Sequence, residues 1–226
     1  MRTLHRVPIR ALLFDFDGLI IDSETTSRAG WEWLYREHGH ELPQDEWRKL
    51  VGTTGSPWSP MDHLENLVGE QLERDALNER RYAHELTLIE AEELRPGIAD
   101  YLAAGDRLGL KRAIVSSSSR RWIDLHLGRL ERELGWHAIV TAERDHARAK
   151  PSPVMYVEAL ELLGVAATEA IVFEDSPNGV RAGKAAGIFV VGIPNDVTRE
   201  VGLDEADLVL DSLADLPPDE LLERFT

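Results

Sequence analysis

Residues 9–16 read IRALLFDF, a nearly continuous run of branched and aromatic side chains that ends beside an aspartate. A strand with one wet face alternates apolar and polar residues. A run without alternation fits a strand buried on both faces, as in a parallel sheet covered by helices. Similar short runs recur at Ala113–Val115, Ala138–Val140, Ala170–Phe173, Phe189–Ile193 and Leu208–Leu210. Helical patterns lie between most of them. Ser119 to Leu134 is one, and Pro153 to Leu163 is another, stopped by Gly164. Pro177 to Ala186 opens on a first-turn proline and ends at Gly187. Strands alternating with helices predict right-handed βα units and an α/β fold built on an open, doubly wound parallel sheet.

From about Asp22 to Glu93 the alternation stops and no strand pattern is found. Trp31, Leu34, Tyr35 and His38 fall at helical spacing. Ser59 and Pro60 read as an N-cap and first turn ahead of Met61, Leu64, Leu67 and Val68. Leu72, Ala76, Ala83, Leu86 and Ile89 mark a long last helix, and Pro96-Gly97 marks the return to the sheet. The reading is a Rossmann-like core over residues 1–21 and 95–226, with a helical cap domain inserted at 22–94.

The chain has 226 residues, 43% of them hydrophobic, which suits one sizeable core or one core with a smaller appended domain. It has no cysteine, which excludes disulfides, thiolate metal sites and a cysteine nucleophile. The N-terminal ten residues lack the apolar run of a signal peptide, and no stretch approaches a membrane span of roughly 20 apolar residues. A soluble, cytoplasmic monomer is expected. The formal charge of −16 disfavours nucleic acid and anionic membranes as partners. It also repels phosphorylated metabolites, so a phosphate site here needs local cations.

In doubly wound sheets ligands sit beyond the carboxyl ends of the strands. The first strand delivers Asp15 and Asp17 in DFDG, and the second delivers Ser116 and Ser117 in VSSSS. The loop after the third carries Lys150 in AKPSP, and the fourth delivers Glu174 and Asp175 in VFEDSPNG. Each alone has an ordinary reading: a turn former, a helix cap, a solvated lysine. Together, at successive strand ends, they predict one site. Carboxylates crowded in a crevice require a cation, and oxygen ligands suit Mg²⁺. One carboxylate can then attack phosphorus, while Lys150 and the serine hydroxyls hold the phosphoryl oxygens. Asp17, on the same side of an extended chain as Asp15, can serve as acid and base.

The segments DFDGLIIDSE, VSSSS, AKPSP and VFEDSPNGVRAGKAAG resemble the four ordered motifs of haloacid dehalogenase-type phosphohydrolases. The nearest branch is the one holding β-phosphoglucomutase and small sugar-phosphate phosphatases. The resemblance runs from about Ile9 to Asp211. It implies that Asp15 is the nucleophile and a metal ligand. Asp17 becomes the acid/base, with its main-chain carbonyl on the metal. Ser116 and Lys150 become phosphate holders, Asp175 a metal ligand and Glu174 a second one. The helical insertion corresponds to a mobile cap. Dehalogenase members lack the second aspartate of the first motif, so Asp17 argues for phosphoryl chemistry.

The mutases of this branch carry a histidine near the position of Thr26 or Ser27 and an arginine in a cap loop of the type G-V-S-R. Here that loop reads Gly52-Thr53-Thr54-Gly55. Net hydrolysis of sugar or polyol phosphates is therefore favoured. The alternatives are a hexose-phosphate mutase and a non-enzymatic phosphate-binding or phosphoacceptor module. Candidate substrate contacts in the cap are Ser23, Glu24, Thr53, Thr54, Arg80 and Arg81. The two arginines also read as a solvated helix face, and the cap tryptophans as cap core rather than a stacking platform.

Overall fold

The fold is that of a computed structural model in which residues 8–50, 58–130, 135–143, 145–199 and 201–225 are described. Six strands form one sheet in the order β3-β2-β1-β4-β5-β6. They are β1 (Ala11–Phe14), β2 (Lys111–Ser116), β3 (Ala138–Thr141), β4 (Ala170–Glu174), β5 (Phe189–Gly192) and β6 (Leu208–Val209). All five pairings are parallel. β1 lies at the centre, with Phe14 in register with Ile114 of β2 and Phe173 of β4. The chain winds outward from β1 in both directions, so the crevice beyond its carboxyl end is the switch point where such sheets hold ligands.

Alternation along β1 explains why its run is apolar throughout. Leu12 and Phe14 enter one core layer with Ile114, Ile171 and Phe173. Over that layer lie α5 (Ile98–Leu108), α6 (Arg120–Arg129) and α9 (Pro218–Glu223), through Tyr101, Ile123 and Leu221. Ala11 and Leu13 enter the opposite layer with Val115 and Val172, under α7 (Val154–Leu163) and α8 (Pro177–Ala185). The N-cap read at Ser59 is formed, its side chain accepting from the Asp62 amide, and Ser119 and Ser176 cap α6 and α8 by accepting from the Trp122 and Gly179 amides. Three helices carried no sequence expectation of their own: α5, α9 and, in the insertion, α2 (Gln44–Leu50).

Between β1 and α5 run α1 (Ser23–Glu37), α2, α3 (Pro60–Val68) and α4 (Arg74–Ile89), with no strand among the described residues. Leu34, Tyr35, Trp47, Met61, Leu64 and Leu77 form a separate apolar cluster there, which Val197 of the loop after β5 joins. Arg95, at the return, donates its amide to the Ile20 carbonyl and its guanidinium to the carbonyls of Gly18 and Pro194. No helix among the described residues is long and apolar enough to cross a membrane.

Candidate active site

The ends of β1, β2 and β4 and the loop after β3 converge on a cavity of about 440 Å³. Asp15, Asp17, Ser116, Ser117, Lys150 and Asp175 line it from the sheet side. Asp15 follows β1 directly, its amide still bonded to the Phe173 carbonyl, so the ladder itself aims its carboxylate at the crevice. The Lys150 ammonium bonds Asp15 Oδ1 and lies 2.6 Å from Glu174 Oε1. Glu174 sits beneath the cavity, wholly buried, and also accepts from the Tyr156 hydroxyl at 2.5 Å. Ser117 Oγ accepts from the Lys150 amide at 3.2 Å, which fixes the lysine's backbone. Asp175 accepts from the Asn195 side-chain amide at 2.7 Å.

Two glycines permit this crowding. At Gly18 the backbone turns through φ +75°, and an added Cβ would lie 2.1 Å from Asp175 Oδ2. At Gly179 a Cβ would lie 1.8 Å from Glu174 Oε2. The first turn of α8 can approach the β4 carboxylate only because nothing projects there.

Asp15, Glu174 and Asp175 each place an oxygen within 4.8 Å of the other two. Burial is the main force pushing Asp15 up to about 8, with Glu174 and Asp17 adding to it and Lys150 opposing. Asp175 is raised as well, first by burial and then by Asp15 and Glu174. Burial works against the charge on Lys150, yet Asp15 and Glu174 outweigh it and hold the ammonium charged. Three buried carboxyl groups facing one ammonium can all ionise only if a further cation joins them. Buried charge of this kind is stable only when neutralised. All donors are hard oxygens, and that set fits a divalent cation such as Mg²⁺.

Across the cavity the helical insertion presents Ser23, Glu24, Ser27, Trp31, Trp47, Leu50 and Glu85. Ser23 Oγ accepts from the Gly18 amide at 3.1 Å and donates to Asp17 Oδ1 at 2.9 Å. Glu24 is pushed up to about 7, chiefly by burial and then by Asp17, Asp22 and Glu85. Arg80 does not line the cavity: it bonds Glu37 at 2.6 Å and lies over Trp33. Arg81 stands behind the wall, paired with Glu85 and stacked 4.7 Å from the Trp31 ring centre. Thr53, Thr54 and their loop lie outside the described residues. Positions 26 and 27 hold Thr26, which bonds the Ser23 carbonyl, and Ser27, with no histidine between them.

Sequence reasoning missed Ser118, Trp122, Glu85 and the cavity-facing position of Trp31 and Trp47. Ser118 and Trp122 flank the Ser119 cap, where the first turn of a helix after a strand end faces the crevice, but spacing alone does not say which of its side chains reach the site. Glu85 and Arg81 form an i,i+4 pair, a pattern that usually marks a solvated face.

A model of haloacid dehalogenase-like hydrolases matches residues 9–187. The chain belongs to that family. It is 38% identical to YhcW of Bacillus subtilis, which bears a phosphatase name, over 96% of this chain and 98% of that one. Hexitol phosphatase A of Escherichia coli is 32% identical, with 90% and 91% covered. The β-phosphoglucomutase of Clostridium difficile superposes with a TM-score of 0.71 at 24% identity, covering 96% and 97%, a likeness of fold. Within the family its relatives of 30% identity or more include phosphatases, and it is a phosphoric monoester hydrolase.

Proposed function

We propose that the protein is a Mg²⁺-dependent phosphatase of small phosphomonoesters, sugar or polyol phosphates, working through an aspartyl phosphate on Asp15. The observation that carries this reading is the meeting of Asp15, Asp17, Ser116, Lys150 and Asp175 around one cavity. Its volume falls within the range of small-molecule sites. The division into a core at 1–21 and 95–226 and a cap at 22–94 belongs to the same proposal, as does closure of the cap over the substrate.

Mg²⁺ would be held by Asp15, the Asp17 carbonyl and Asp175, with Glu174 nearby, and when bound it supplies charge neutralisation for the phosphoryl group. Lys150, Ser116 and Ser117 hold phosphoryl oxygens. An Asp15 oxygen attacks phosphorus, the phosphorus–oxygen ester bond breaks, and the Asp17 proton passes to the leaving oxygen. Asp17, now a carboxylate, takes a proton from water. The resulting hydroxide attacks phosphorus, and the bond from Asp15 to phosphorus breaks to release phosphate.

Hydrolysis is favoured over phosphoryl return to a second hydroxyl. Among the described residues that line the cavity Lys150 is the only cation, and the insertion's side holds Glu24 and Glu85. A bisphosphate's second phosphate would meet carboxylates, whereas sugar or polyol hydroxyls can donate to them. Hexitol phosphatase A, by name, acts on phosphorylated polyols. The test is a panel of phosphomonoesters with and without Mg²⁺, assayed for free phosphate and for isomerised sugar phosphate. Phosphate release that requires Mg²⁺ is expected. Isomerisation without phosphate release would assign the site to a mutase.

A further inference from the structure

Four donors converge on the Asp17 carboxylate. Oδ1 accepts from Ser23 Oγ at 2.9 Å and from the Trp122 indole N–H at 2.7 Å. Oδ2 accepts from Ser118 Oγ at 2.6 Å and from Ser116 Oγ at 3.3 Å. These donors are not equivalent. A serine hydroxyl can turn and accept, whereas an indole N–H only donates. Ser23 also takes the Gly18 amide, as Ser116 takes the Ser118 amide, so among the four donors the indole is the one that cannot reverse. Oδ1 is thus pinned as an acceptor. Oδ2 faces hydroxyls that can either donate or accept, and it is the oxygen from which a proton can be passed.

Trp122 is itself braced on both sides. Behind it, the His126 ring meets the indole edge-on at 4.2 Å and 68°. His126 is buried, and neither ring nitrogen has a hydrogen-bond partner among the described residues. It acts as an apolar stop. In front, the indole meets Tyr82 of α4 at 6.2 Å. One side chain of the core therefore touches Asp17, its own helix and the helical insertion.

We propose that Trp122 is a positioning residue: its indole N–H sets the orientation in which Asp17 passes its proton, and Tyr82 lets the helical insertion bear on that orientation. The proposal rests on the phosphatase reading above and extends it to a residue that contacts no reacting atom. It predicts a defect confined to steps that need Asp17 to donate. Departure of an alkoxide requires a proton, while 4-nitrophenolate leaves as an anion.

The experiment compares single-turnover rates of wild type and Trp122→Phe, with Mg²⁺, on sorbitol 6-phosphate and on 4-nitrophenyl phosphate. The ratio of the alkyl to the aryl rate should fall by roughly tenfold or more in the variant, the low end of what a positioned general acid contributes. Tyr82→Leu keeps the indole bond and should lower the ratio by a smaller factor, about threefold. Equal losses on both esters would mean that Trp122 merely shapes the cavity, and an unchanged ratio would remove the positioning role. Failure of the phosphatase reading shows itself separately, as wild-type protein inert to both esters, and takes this proposal with it.

Discussion

At the carboxyl edge of the sheet, Asp17, Lys150 and Glu174 are each held by several partners, while the facing wall of the helical insertion presents indole rings, two carboxylates, two serines and a leucine. Asp17 has four donors and Lys150 bridges two acids. Opposite them, Trp31 and Trp47 offer flat apolar surface, and Glu85 is fixed from behind by Arg81. The first region inherits its geometry from backbone register, because strands locked in parallel ladders deliver their end residues to fixed places. The second depends on side chains of helices that are packed into their own cluster. It can be altered without touching the sheet. Under the proposed function this would separate reaction chemistry from substrate selection, the usual division between a scaffold and the segments laid over it.

The comparison breaks most readily at Lys150. Lys150→Ala leaves Asp15 and Glu174 buried without their cation. Breaking such a pair costs about 3–5 kcal/mol. Loss of the charge facing the phosphoryl group should cut phosphate release by roughly 10²–10³-fold. Thermal unfolding and a phosphate assay measure the two effects. An unchanged melting temperature would show that the sheet edge is less tightly organised than its contacts imply.

Protonation sharpens the same contrast. With Asp15 pushed up to about 8 and Asp175 raised alongside it, the metal-free folded state keeps protons that the unfolded chain gives up near the ordinary carboxyl range. A raised carboxyl stabilises the fold below its unfolded pKa, and that contribution is lost as pH climbs through the folded value. Metal-free protein should therefore lose stability as pH rises from about 4 to about 8. A cation must displace those protons. The increase in melting temperature caused by Mg²⁺ should accordingly grow over the same window. An increment independent of pH would mean that these carboxylates do not share the ion.

The smallest effects lie in the insertion. Trp31→Ala should raise KM for a sugar phosphate about tenfold, the scale of one aromatic contact, with kcat less affected. Arg80→Ala should change stability by less than about 0.5 kcal/mol and leave kinetics alone, because its exposed pair with Glu37 points away from the cavity. A KM effect at Arg80 that matched Trp31 would mean that the wall has been drawn in the wrong place.

The two regions also differed in how far the sequence revealed them. β1 was readable because burial on both faces leaves no polar position, and the rim residues followed from knowing where each strand ends. The β4 acids were found in the same way, yet the bond from Lys150 to Glu174 was not. Lys150 comes from the loop after β3 and Glu174 from β4, and only packing brings the two side chains together. Trp122 was invisible as a partner of Asp17 because a helix's rotation about its axis is decided by packing. For the insertion, spacing identified α1, α3 and α4 but could not say which indole meets the cavity and which the cluster behind it. Arg80 and Arg81 are neighbours in sequence, and packing sends one to solvent and the other behind Trp31.

The central claim is that Asp15 receives the phosphoryl group. Asp17→Asn should still be phosphorylated by 4-nitrophenyl phosphate in the presence of Mg²⁺, since that leaving group needs no proton, but should hydrolyse the intermediate slowly. The decisive measurement is a rapid quench of this variant, with nitrophenolate release followed in parallel and the phosphorylated peptide located by mass spectrometry. The account predicts a stoichiometric burst and a phosphoryl group on Asp15, both absent when Asp15→Asn is added. A burst with the phosphoryl group on another residue, or phosphate release that survives Asp15→Asn, would contradict it.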